Sequence, residues 1–243
     1  MRKYILNVPL DDLSLKDIRE KIIHNERVFQ VFVNIHKIVQ FNKNNNLQQI
    51  LSGKKCVFSV DGKWVKWLAN LNGFFPKERF GGLEVIDTFF ALAQRFNFRL
   101  YLLGGVRENL NKAEELLKAK FPRANIVGAK DGFFKYEEEV ITDIREKKPE
   151  ILFLALPSPK KELLGYRIFQ EVESLKYVAG VGGAFDIIVG KAKRAPLWIQ
   201  GIGLEWLYRC LQEPKRLFKR YLSDGLDLLL ISLKQATRNY LKK

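Results

Sequence analysis

Short apolar runs alternate with segments of helical periodicity through the middle of this chain, and that alternation limits the fold more than any other feature. Runs at 28–33, 56–60, 99–103, 125–127, 151–156 and 177–181 are rich in Val, Ile, Leu, Phe and Tyr and read as buried strands. Between the last four of them, and just before the first of those four, segments 84–96, 108–121, 137–147 and 160–173 carry apolar residues at helical spacing. Strands separated by helices need right-handed crossovers and assemble into a parallel sheet. The expectation is therefore an α/β fold, a Rossmann-like parallel sheet core. Ahead of it, 13–25 reads as a helix with Ser14 as N-cap and Asp17 three residues on, and 35–52 as helices broken at Asn44-Asn45-Asn46. From Pro196 onward the pattern is helical only, at 204–211 and 217–233. This predicts a core over 1–195 and a C-terminal helical appendage over 196–243.

Charge narrows the partners. Lys and Arg number 42 against 27 Asp and Glu, a formal net charge of +15. Nucleic acid, anionic lipid headgroups and phosphorylated substrates would all answer that excess. From Glu205 to the end, nine Lys or Arg face four acids, beside an apolar stripe of Leu217, Phe218, Tyr221, Leu222, Leu226, Leu229, Leu230 and Leu233. Such a helix lies on an anionic membrane surface or packs on its own domain, and the sequence leaves both readings open. No window reaches the roughly 18 to 20 apolar residues of a spanning helix. Nor does the start of the chain read as a secretory signal, since Asp11-Asp12 closes a short apolar stretch. The expectation is a soluble, intracellular protein. Two cysteines, Cys56 and Cys210, form no disulfide framework, and two histidines, His24 and His36, make a His-based zinc site improbable.

In open parallel sheets ligands bind at the carboxyl ends of strands. Here those ends carry Asn34, Asp61-Gly62 and Gly104-Gly105, while Gly180 to Asp186 follow the last strand. Gly104-Gly105 opens a helix and lets backbone approach a phosphate, or is simply a tight turn. The third glycine of a dinucleotide fingerprint is absent, which disfavours a nicotinamide or flavin cofactor. Gly180, Gly182 and Gly183 leave room for a nucleotide whose base or ribose Asp186 could accept from; helix capping or a turn would explain the same residues. Asp61 is the sharpest candidate. A carboxylate at a strand end, followed by glycine, can act as a general base, although an Asp-Gly turn alone would look the same. Sugar transfer with inversion needs one such base and positive charge on the departing diphosphate. No Asp-x-Asp pair is present to hold a metal for that purpose, so arginines would have to supply the charge.

Ten motifs occur in order: Val33-Asn34, Val60-Asp61-Gly62, Glu78-Arg79, Leu102-Leu103-Gly104-Gly105, Asp131-Gly132-Phe133-Phe134, Pro159-Lys160-Lys161-Glu162, Val181 to Asp186, Lys193-Arg194-Ala195-Pro196, Gly203 to Arg209, and Glu213-Pro214-Lys215-Arg216. Together, over about residues 28 to 221, they resemble the WecG/TagA/CpsF family of glycosyltransferases. The resemblance implies inverting, metal-independent transfer, without a cofactor, of an N-acetylmannosamine-type sugar from a UDP-sugar. The acceptor it implies is an undecaprenyl-diphosphate-linked saccharide at the cytoplasmic membrane face, in teichoic acid, common-antigen or exopolysaccharide synthesis. Carried onto this chain, it makes Asp61 the base. Asn34, Arg79, Gly104 and Gly105 would place the donor, with Gly182, Gly183 and Asp186 near the nucleotide. Arg209, Arg216 and Arg220 would hold diphosphate, and the appendage would reach the membrane. A weak homo-oligomer is implied as well.

Three departures from the family pattern stand out, and the first two, a lost hydroxyl and an amide replaced by lysine, bear on the donor. The family's Thr-x-Asn reads Phe32-Val33-Asn34, its Gly-Ser-Pro-Lys-Gln-Glu reads Pro157-Ser158-Pro159-Lys160-Lys161-Glu162, and an acidic position usually Asp is Glu84. A hexose or a uronic acid is then as reasonable a donor sugar as N-acetylmannosamine. Rival readings are an inactive scaffold of a polysaccharide assembly and a basic nucleic-acid-binding protein. Against the latter, glycines and acids gather at strand ends instead of basic and aromatic residues along one face.

Overall fold

The computed structural model describes residues 1–240, at positions 216, 236 and 238–240 by backbone alone. It opens with an antiparallel pair that the periodicity did not reveal, β1 (Arg2–Ile5) and β2 (Val8–Asp11). The two turn residues, Leu6 and Asn7, both have positive φ (48° and 64°), the geometry that matches the twist of a two-residue hairpin. Leu-Asn lacks the glycine that usually signals such a turn, which is why the pair is invisible in sequence. Asp11 anchors it. Its carboxylate accepts from Arg2 Nε at 2.8 Å and from the Phe58 backbone N–H at 2.8 Å.

The main chain of elements follows as α1 (Leu15–Ile23), β3 (Val28–Val33), α2 (Ile35–Lys43), α3 (Asn45–Leu51), β4 (Cys56–Val60) and α4 (Lys63–Leu71). Then come α5 (Gly82–Phe96), β5 (Arg99–Gly104), α6 (Arg107–Lys120), β6 (Asn125–Lys130), α7 (Glu137–Lys147), β7 (Ile151–Ala155), α8 (Lys160–Glu171) and β8 (Tyr177–Ala179). Helices complete the chain: α9 (Ala184–Ile188), α10 (Leu197–Ile202), α11 (Glu205–Gln212) and α12 (Pro214–Tyr240). Strands β3 to β8 form one six-stranded sheet, ordered β4-β3-β8-β7-β5-β6, with every pairing parallel. This is the Rossmann-like α/β core that the alternation predicts, with a long C-terminal helix added. Ser14 and Asp17 form the expected capping box on α1, and Asn44 divides α2 from α3 by capping the latter, accepting the Leu47 N–H at 3.0 Å.

Both faces of the sheet are covered, so successive side chains of each strand enter different cores. In β3, Phe29, Val31 and Val33 join the core under the hairpin, α2, α3, α7 and α8. Val28 and Phe32 point the other way, into the core under α1, α5 and α6. Tyr101 and Leu103 of β5 go to the first, Leu100 and Leu102 to the second. The hairpin lies along β4, the outer strand, and shields an edge that would otherwise present unpaired backbone.

Candidate active site

β3 and β4 pair in register, Val33 opposite Val60, so the residues that follow them leave the sheet side by side. Asn34 is fixed by its own helix: its Oδ1 caps α2 by accepting the Lys37 N–H at 3.0 Å. Its Nδ2 is turned to Asp61 Oδ2 at 3.4 Å. The Asp61 N–H extends the ladder to Val33 O at 2.9 Å, and Gly62, with φ of 88°, then turns the chain into α4. A Cβ on Gly81 would lie 3.3 Å from Asp61 Oδ1, so glycine there keeps the carboxylate uncrowded.

Burial raises the Asp61 carboxyl above the ordinary carboxylate range, and Glu205 nearby pushes the same way. The Asn34 hydrogen bond, Lys161 and Arg79 pull against it without prevailing. The result is a part-buried carboxyl at a strand end, more basic than an ordinary carboxylate once ionised. Around it the chain places charges in pairs. Arg79 Nη1 lies 2.5 Å from Glu205 Oε1, joining the loop before α5 to α11. Arg194 pairs with Glu84, whose other oxygen accepts the Gly81 N–H at 3.1 Å and caps α5. Beneath, Lys37 and Glu162 form a buried pair at 2.7 Å, with Ser158 Oγ 3.0 Å from each. Desolvation lowers the Lys37 ammonium to about 8 although Glu162 opposes the shift.

The glycine turn after β8 adjoins this cluster. The Lys161 stem runs along Gly180, and the Arg209 guanidinium stands 3.0 Å from where a Gly183 Cβ would be. Gly182 takes φ of 56°. On the far side, Gly104 (φ 114°) follows the strand so closely that a Cβ would meet Ala155 O at 2.4 Å. Gly105 (φ 72°) faces Phe185, next to Asp186, which accepts from Asn109 Nδ2 at 2.7 Å. Arg107, at the start of α6, pairs with Asp131 at 2.6 Å. The structure thus brings Asn34, Asp61 and Arg79 together, sets Gly182, Gly183 and Arg209 beside them, and groups Gly104, Gly105 and Asp186 around α6 and α9.

One residue stands elsewhere than the sequence suggested. Phe32 is not at the cleft: it points into the core, edge-on to Phe80 with ring centroids 6.2 Å apart. Arg220 lies over the Tyr221 ring, 5.1 Å from its centroid, with its Nε buried and lacking a hydrogen-bond partner. The Arg216 side chain lies outside the described residues. Glu205, which pairs with Arg79 here, is marked in the sequence only by lying within the Gly203 to Arg209 motif. Among the described residues, no group of three or more His, Cys, Asp and Glu side chains could hold a metal ion.

The C-terminal helices are tied to the core at two places. Trp64 Nε1 of α4 donates to Gly203 O at 2.8 Å, between α10 and α11. On α12, Asp224 meets His36 at 2.9 Å and Asp227 meets Lys43 at 2.5 Å, both on α2. Leu217 is buried, whereas Phe218, Leu222, Leu226, Leu229 and Leu233 stand more than half exposed. Among the described residues no helix is long and apolar enough to cross a membrane.

A parallel sheet with one part-buried carboxylate at a strand end, flanked by glycine turns and basic side chains, is the layout of a Rossmann-like group-transfer enzyme. The family model described as the glycosyl transferase WecG/TagA/CpsF family matches residues 3–242, nearly the whole chain, and the chain belongs to that family. It is therefore a glycosyltransferase, of a family that serves cell-surface polysaccharide synthesis.

Proposed function

We propose that this enzyme transfers a sugar, with inversion and without a metal, from a UDP-sugar to an undecaprenyl-diphosphate-linked saccharide. The observation that carries the reading is Asp61: a carboxyl whose proton affinity burial has raised, beside Asn34, with Lys161, Arg79 and Glu205 near enough to act on it. In the reaction Asp61 takes the proton of the acceptor hydroxyl while that oxygen bonds to the anomeric carbon. The bond from that carbon to the diphosphate oxygen breaks, and UDP leaves with its electron pair. Asn34 and Arg79 place the donor, with Gly104 and Gly105 against its phosphates and Gly182, Gly183 and Asp186 beside the nucleotide. Arg209, Arg216 and Arg220 hold diphosphate.

The chain is read as a catalytic core, 1–195, and a basic membrane-proximal appendage, 196–243, working at the cytoplasmic face of the membrane. In support, α12 keeps Asp224 and Asp227 toward α2 and leaves apolar residues outward beside Lys215 and Lys219. An N-acetylmannosamine-type sugar, another hexose or a uronic acid fits the donor role. A UDP-release assay tests the whole reading. It runs a panel of UDP-sugars against a short-chain lipid-diphosphate saccharide in EDTA, with wild type and Asp61→Asn. Release that needs both acceptor and Asp61 supports the reading; no release with any donor, or equal release by the variant, refutes it.

A further inference from the structure

Most cations along the carboxyl edge already have an acid. Arg79 is held by Glu205, Arg107 by Asp131 and Arg194 by Glu84. Lys37 has its donors met by Glu162 at 2.7 Å, Ser158 Oγ at 3.0 Å and Gln40 Oε1 at 3.2 Å. Lys161 does not share this arrangement. Its nearest carboxylate oxygen, Glu162 Oε1, is 3.7 Å away and already bound by Lys37 and the Ser158 hydroxyl. Its one hydrogen bond is a long one, to Gly180 O at 3.5 Å. Yet the side chain is only 17% exposed, so water cannot fully replace the missing acceptors.

The position of this ammonium is built. A Cβ on Gly180 would lie 3.0 Å from Lys161 Cδ, so glycine at 180 is what lets the stem pass. Nζ then reaches the turn after β8, 4.0 Å from where a Gly182 Cβ would be, on the side from which its charge acts on Asp61. Two lysines face one buried carboxylate, Glu162, and the nearer of them takes it. A mostly buried cation with unmet donors, at a glycine turn beside a candidate base, is complete only when an anion arrives.

We propose that the Lys161 ammonium binds an oxyanion of the donor substrate. This rests on the donor reading above. The oxyanion comes from one of two sources, the diphosphate common to all UDP-sugars or a carboxylate carried by the sugar itself. The first makes Lys161 part of leaving-group binding; the second makes it the residue that selects an acidic sugar.

Calorimetric titration of the full chain with UDP, UDP-N-acetylglucosamine and UDP-glucuronate separates these, using wild type, Lys161→Gln and Lys161→Arg. A charge-assisted hydrogen bond corresponds to a loss of at least about tenfold in affinity for Lys161→Gln, with much of it restored by Lys161→Arg. A loss seen with all three ligands assigns the contact to the diphosphate. A loss confined to UDP-glucuronate assigns it to a sugar carboxylate. Equal affinities of Lys161→Gln and wild type for every ligand that binds would overturn the proposal while leaving the donor reading intact. A wild type that binds none of the three overturns both. Thermal unfolding of each variant shows that any loss is not a loss of fold, since Glu162 keeps Lys37 as its partner throughout.

Discussion

The guanidinium of Arg79 meets the carboxylate of Glu205 at 2.5 Å, and this contact joins the loop before α5 to the first turn of α11 right beside Asp61. The two side chains act on Asp61 with opposite signs: Glu205 raises its proton affinity and Arg79 lowers it. A general base works only when ionised, so activity falls as pH drops through the Asp61 pKa. Glu205→Gln removes a negative neighbour and frees Arg79, both of which favour the carboxylate. The acid limb of kcat/KM should therefore move to lower pH in Glu205→Gln and to higher pH in Arg79→Met. Full pH profiles of both variants check this, and limbs that shift together, or not at all, refute the arrangement.

Asp61 should weaken the fold it serves. Its carboxyl is raised in the folded state, chiefly by burial, so the folded chain binds that proton more tightly than the unfolded chain does. Stability from this group is complete below the ordinary carboxylate range and is lost as pH rises through the folded-state value. Asp61→Asn cannot ionise and avoids that loss. We expect it to melt higher than wild type at pH 7.5, with the gain disappearing near pH 4, while turnover falls by about 10²- to 10⁴-fold. Calorimetry at the two pH values and the UDP-release assay measure both effects; a variant that melts lower at pH 7.5 contradicts the burial argument.

The strand-end logic reached Asn34 and Asp61 because both are set by backbone pairing, Val33 against Val60, which hydrophobic runs encode directly. The sheet was legible for the same reason. What escaped were features made by contacts distant in sequence. The hairpin depends on positive φ at Leu6 and Asn7 and on Asp11 reaching Phe58, and nothing local announces either. Helix α4 sets large apolar residues toward solvent, with Trp64, Trp67 and Leu71 exposed and only Val65 and Ala69 buried, so its buried face is not the one its bulkiest side chains mark. Phe32, read as a change at the donor sugar, faces the opposite core, since alternation along β3 sends it away from Val33. Glu205 and Lys161 gain meaning only once α11 and α8 are folded against the strand ends.

The Lys37–Glu162 pair makes a case for coupled substitution. Both side chains are almost fully buried; removing Glu162 leaves Lys37 without a carboxylate, and removing Lys37 leaves Glu162 only Lys161, at 3.7 Å. Lys37→Met and Glu162→Met should each destabilise by about 3 to 5 kcal/mol, the range for breaking a buried pair. A Lys37→Met, Glu162→Met double variant removes both charges and fills the space, and should recover most of that loss. Denaturant unfolding of the four proteins closes the cycle. Additive losses in the double variant would mean that the two groups do not depend on each other.

The outward face of α12 gives the test of membrane contact. Asp224 and Asp227 bind His36 and Lys43, so the helix is docked through one side and need not detach to present the other. Leu222, Leu226 and Leu229 are 58%, 59% and 57% exposed, too open to contribute much to folding. Partial insertion of three leucines into a lipid surface is worth on the order of 2 to 4 kcal/mol. Changing all three to Ser should therefore weaken binding to vesicles containing anionic lipid by at least about tenfold, with the melting temperature held within about 2 °C. Raising salt should weaken wild-type binding too, because Lys215 and Lys219 act through screened charge. Sedimentation with vesicles of defined composition reads both effects. If the triple variant binds as wild type does, α12 is not the contacting surface; if it melts markedly lower, those leucines pack against protein and the outward face has been misjudged.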